Sequence, residues 1–82
     1  MDDTELRAVV LATLKTIAPE VETDALRGNR PLRQQVDLDS MDWLNFLIGL
    51  ATRLKVAIPE ADYGRLATLD ALVDYLRDRL PD

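Results

Sequence analysis

Asp39 and Ser40 stand side by side where a polar connecting segment meets the most apolar helical stretch of the chain. The run reads Val36-Asp37-Leu38-Asp39-Ser40-Met41-Asp42-Trp43-Leu44-Asn45-Phe46. Hydroxyl chemistry is what such a pair offers first. The sequence holds no histidine and no cysteine, so the commonest general base and the commonest thiol nucleophile are both missing. An unassisted serine is a poor nucleophile and needs an adjacent base. Neither a Gly-x-Ser-x-Gly elbow nor a Ser-x-x-Lys pair surrounds Ser40. Catalysis by Ser40 alone is therefore excluded as the expectation, and the chain is not read as an enzyme. Asp37, Asp39 and Asp42 lack the glycine and terminal glutamate of a calcium loop, so no metal site is expected. Acidic residues at a helix start serve the dipole and the cap. Two readings of Ser40 remain at this point. One is a plain helix N-cap. The other is an attachment point for a prosthetic group, since the N–H groups and positive dipole end of a helix start suit a phosphodiester.

The elements that must position this serine follow from the apolar spacing. Leu6, Val9, Val10, Thr13, Leu14 and Ile17 predict a first helix from about Thr4 to Ile17. Pro19 limits it, because the residue before a proline avoids the helical region. Residues 18–38 form a long connection with Pro19, Gly28, Asn29 and Pro31 as breakers. Val21, Leu26, Leu32, Val36 and Leu38 predict that this loop is pinned to the core. Arg30–Gln35 reads as one helical turn, with Pro31 at its first position. A second helix runs from Asp39 or Ser40 to about Lys55. Ile58–Tyr63 reads as a short helix opened by Pro59 and weakened by Gly64. Thr68 caps a last helix with Leu69, Leu72, Val73, Leu76 and Leu80 on one face. No segment alternates as a strand. The expectation is all-α: one domain over residues 1–82, a small four-helix bundle of three main helices and one short one. A long loop joins helices one and two.

The second helix has two apolar faces at about 100° per residue. Trp43, Phe46, Leu47, Leu50 and Leu54 form the expected core arc, with Phe46, Leu50 and Leu54 buried against Leu14, Ile17, Leu72 and Leu76. Met41, Leu44, Ile48 and Ala51 lie nearly opposite, and Asp42, Asn45, Gly49 and Arg53 form a polar strip. The second apolar face is either covered by the long loop or short helix, or it is a partner surface. Its start beside Ser40 favours the partner. Acidic side chains near it, Asp37, Asp39, Asp42 and Asp62, are the alternative means of recognition.

With 15 acidic and 10 basic side chains in 82 residues, the net charge is -5, which argues against a nucleic-acid partner and permits basic protein partners. No apolar run reaches membrane-spanning length, and the acidic N-terminus lacks the pattern of a secretory signal. A soluble, cytoplasmic monomer is the expectation, and the absence of cysteine fits a reducing compartment.

Leu38-Asp39-Ser40-Met41 at the start of the second helix resembles the Asp-Ser-Leu signature of the acyl carrier proteins and other phosphopantetheine-binding carrier domains. Ile58-Pro59-Glu60, then Leu66-Ala67-Thr68-Leu69, match that family's short third helix and the start of its fourth, and Tyr75-Leu76 fit its last helix. The likeness covers essentially the whole chain. It implies 4′-phosphopantetheine on Ser40, delivered from coenzyme A by a separate phosphopantetheinyl transferase, with Asp39 helping to present the serine. It implies a shuttle that carries acyl thioesters to acyl-loading and acyl-transferring enzymes. Met41 stands where the family usually has leucine. Met41, Leu44, Ile48 and Asp42 are the implied partner contacts.

In the best-known members the exposed face of the second helix carries several glutamates. Here those positions are Asn45, Ala51 and Thr52, with Arg53 and Lys55 nearby. A freestanding carrier in a specialised fatty-acid or polyketide-type pathway is the resulting expectation. The alternatives are an aminoacyl or peptidyl carrier, or an unmodified helical adaptor. Trp43 and Tyr63 are read as packing aromatics near where the family stores an acyl chain.

Overall fold

A computed structural model of the protein describes residues 2–80. Helix α1 spans Asp3–Ile17, the one-turn α2 spans Leu32–Gln35, α3 spans Ser40–Leu54 and α4 spans Leu69–Arg79. Two 3-10 segments, Thr23–Ala25 and Glu60–Arg65, complete the order. The expected three main helices are α1, α3 and α4.

Each main helix starts on a side-chain cap. Asp2 accepts from the Glu5 N–H, Asp39 from the Asp42 N–H and Thr68 from the Ala71 N–H. Helix α1 ends before Pro19 as expected, with the Ala18 N–H returning to the Leu14 carbonyl at 2.9 Å. Leu6, Val10 and Leu14 of α1 meet Phe46, Leu47 and Leu50 of α3 and Leu72 and Leu76 of α4 in one buried core. Ile17, expected among them, is only partly buried at the rim.

The connection from 18 to 38 is pinned, as its apolar residues predict. Leu32, Val36 and Leu38 are buried, and Val21 and Leu26 are partly so. The Gln35 amide clamps the loop: its oxygen accepts from the Arg27 N–H at 2.7 Å, and its NH2 donates to the Arg27 and Arg30 carbonyls at 2.9 and 3.0 Å. Gly28 lies so close to the Arg7–Asp70 ion pair that a Cβ would strike the Asp70 carboxylate, while the Gly28 carbonyl accepts from the Asp70 N–H at 3.0 Å.

Two expectations are corrected. Pro31 precedes α2 in an extended conformation instead of opening it. The Leu32 N–H donates to the Ala67 carbonyl at 2.8 Å, in an isolated bridge of Pro31 with Thr68, and that distant partner sets the boundary. The short helix after Pro59 is 3-10 and shifted to Glu60–Arg65, with the Asp62 N–H donating to the Pro59 carbonyl at 2.9 Å. It is tied to α4 by side chains. The Tyr75 hydroxyl donates to Asp62 at 2.6 Å, and Arg79 pairs with the same carboxylate at 3.1 Å while lying over the Tyr75 ring.

Burial, then the bond to Asp62, pushes the Tyr75 phenol above its usual value near 10. An acid raised in the folded state contributes stability fully present below its unfolded pKa and lost as pH rises through the folded one. The melting temperature should therefore fall as pH climbs past about 10, and Tyr75→Phe should weaken that dependence. An equally steep fall in Tyr75→Phe would contradict this role.

Helix α3 ends unusually. Its C-cap is Lys55, in the left-handed region at φ 55, ψ 45, and the Lys55 and Val56 N–H groups both donate to the Ala51 carbonyl; no other non-glycine residue described has positive φ. Glycine is the usual residue there, and a Cβ costs about 1 kcal/mol or more.

Candidate functional site

Helix α3 presents Ser40 from a firm base. Leu38, two residues before it, is buried, and Phe46 and Leu47 anchor the helix behind it. Asp39 is the N-cap: its Oδ1 accepts from the Asp42 N–H at 2.8 Å and its carbonyl accepts from the Trp43 N–H at 2.9 Å. Ser40 is thus the first helical residue, and the plain-cap reading of it is corrected. The exposed hydroxyl is not used by the cap, and Ser40 is the only serine in the chain. The Ser40 and Met41 N–H groups have no carbonyl partner one turn back and point toward the helix start. A phosphodiester on Ser40 would meet these donors and the positive end of the dipole. The residues present therefore fit a phosphate-linked group.

The second apolar face of α3 is open. Met41 is 65%, Ile48 50% and Leu44 37% exposed, so neither the loop nor the 3-10 segment covers them. Asp42 is half-buried beside the strip. The expected polar strip is broken at Gly49, where α3 approaches α1: a Cβ there would lie 3.2 Å from the Thr13 methyl. Asp62 is withdrawn from the acidic set around Ser40 by its bonds to Tyr75 and Arg79. Among the described residues, no group of three or more Asp, Glu, His or Cys is arranged to hold a metal.

Trp43 is half-buried and packs against the edge of the core, its ring centroid 5.5 Å from that of Phe46. With Tyr63 it lines an open cleft of about 490 Å³ whose other walls include Pro31, Arg33 and Leu38. Both aromatics pack against the core, as expected, and both also line this cleft. Trp43 stands three residues after Ser40, hence on a neighbouring part of the helix surface. Spacing alone missed Arg33, which lines this cleft from α2 and has no periodic signal.

No helix among the described residues is long and apolar enough to cross a membrane. No curated protein sequence matches the chain. The fold is that of a solved acyl carrier protein from Enterococcus faecalis, with TM-score 0.74 and 21% identity over 96% of this chain and 99% of that one. The family model described as the phosphopantetheine attachment site matches residues 5–76. The chain belongs to that family and is a carrier protein with covalently attached 4′-phosphopantetheine.

Proposed function

We propose that this protein is an acyl carrier protein whose prosthetic group is attached to Ser40. The supporting observation is the division of labour at the start of α3: Asp39 caps the helix and leaves the only serine hydroxyl exposed beside unpartnered N–H groups. When bound, the group supplies a thiol that holds acyl cargo as a thioester. The chain's own contribution is to hold Ser40 on a rigid helix and to offer Met41, Leu44, Ile48 and Asp42 to the transferase and to acyl-loading and acyl-transferring enzymes. Asn45 and Thr52 are exposed and uncharged on this face, which favours dedicated partners in a specialised fatty-acid or polyketide-type pathway. The Trp43–Tyr63 cleft is within the usual size of ligand sites and offers a place for a short cargo.

The absence of cysteine makes a direct assay. The unmodified chain has no thiol, so titration with a thiol reagent should rise from none to one per chain after loading from coenzyme A and removal of excess. Ser40→Ala should stay at none while melting as wild type does, because the cap belongs to Asp39. A thiol gained by Ser40→Ala would overturn the assignment.

A further inference from the structure

We infer that Arg33 is the counterion of the phosphodiester on Ser40 and holds the base of the prosthetic arm at the edge of the Trp43–Tyr63 cleft. This rests on the carrier reading and deepens it by naming the side chain that meets the group. Two contacts place the guanidinium. The Arg33 Nε–H donates to the Leu38 carbonyl at 3.4 Å, two residues before Ser40. Leu38 is buried, so that carbonyl is held in place. Consecutive residues advance by at most about 3.6 Å, which keeps Leu38 within about 7 Å of Ser40 along the chain. Arg33 also lines the cleft together with Trp43, which stands about one turn on from Ser40. Positions 38 and 43 bracket the attachment serine.

Charge gives the reason for a cation here. Asp37, Asp39 and Asp42 already flank Ser40, and a phosphodiester adds a further negative charge among them. The dipole at the start of α3 offsets only about half a charge. Like charges this close raise the free energy of the folded chain unless a cation stands among them. Arg33 is the nearest one before the serine, and no lysine or arginine follows until Arg53. Although Asp37 and Asp39 are its neighbours in sequence, the ion pairs among the described residues do not join Arg33 to either. Its planar fork matches two oxygens of one phosphate. The cleft it lines holds no carboxylate, whereas other grooves of the surface are lined by Asp74 and Asp78 or by Glu20, Glu22 and Asp37. An anion is therefore not repelled from this cleft by its own walls.

The competing role for Arg33 is to tie α2 to the chain before α3 through the Leu38 carbonyl alone. It predicts the same change in stability with and without the prosthetic group. The test compares the melting temperature of each chain before and after loading from coenzyme A by a phosphopantetheinyl transferase, with complete loading checked by intact mass. The change on loading should be about 2–4 °C less favourable in Arg33→Gln than in wild type, the effect of one exposed charge pair in so small a domain. Arg33→Lys should recover at least about half of that difference, because it keeps the charge and loses the fork. Arg53→Gln, the same charge change at an exposed site about 20 Å along α3, should match wild type. The phosphorus NMR resonance of the loaded chain should move in Arg33→Gln and stay in Arg53→Gln. A difference on loading below about 2 °C, an equal one in Arg53→Gln, or a phosphorus resonance that Arg33→Gln leaves in place overturns the contact while leaving the carrier reading intact. Failure of the wild type to be loaded overturns both.

Discussion

Phe46→Ala should lower the melting temperature by at least about 12 °C and leave a substantial unfolded population near physiological temperature. Phe46 is fully buried at the centre of the core, among Leu14, Leu50, Leu72 and Leu76. Removing a buried phenyl ring costs about 3–5 kcal/mol, counting both the lost transfer free energy and the cavity left behind. At about 0.05–0.15 kcal/mol per residue, the whole domain has roughly 4–12 kcal/mol to lose. In so small a chain each kcal/mol shifts the melt by about 4–8 °C. A melt within about 3 °C of wild type would mean that α3 does not face α1 and α4 as described.

Leu44→Glu should slow loading of Ser40 at least about tenfold while the melt stays put. Leu44 lies in the middle of the open strip and is exposed, so its replacement leaves no cavity, and glutamate is a good helix former. The loss falls on the partner complex. Apolar burial contributes about 25 cal/mol per Å² before the costs of association, and a buried unpaired carboxylate adds a desolvation cost. Raising salt should slow loading only modestly, since screening acts on the few exposed charges at the ends of the strip and not on its apolar middle. Steep salt dependence with an indifferent Leu44→Glu would transfer recognition to Asp37, Asp39 and Asp42.

The parts of this molecule that were legible in the sequence are those set by short-range rules. The 3.6-residue period placed the core faces of α1, α3 and α4, and it separated Met41, Leu44 and Ile48 from the core. Breakers placed the ends of α1 and the long loop. What sequence could not settle depended on partners far along the chain. Pro31 is displaced from α2 by a bond from Leu32 to Ala67. Asp62 looked like part of an acidic recognition set but is held by Tyr75 and Arg79. Gly49 looked polar by pattern and proved to be a contact with α1. At the site itself, Asp39 and Ser40 were both good caps by type. Only the bond from the Asp42 N–H decides which of them caps, and with it which hydroxyl is left for chemistry. The left-handed turn at Lys55 has no sequence signal, because glycine or asparagine normally marks it.

The most direct test is intact mass followed by peptide mapping of the wild-type chain after incubation with coenzyme A, magnesium and a phosphopantetheinyl transferase. The expected result is a gain of one phosphopantetheinyl group per chain, on the peptide that contains Ser40. No gain with several transferases, or a gain on a peptide without Ser40, would contradict the assignment.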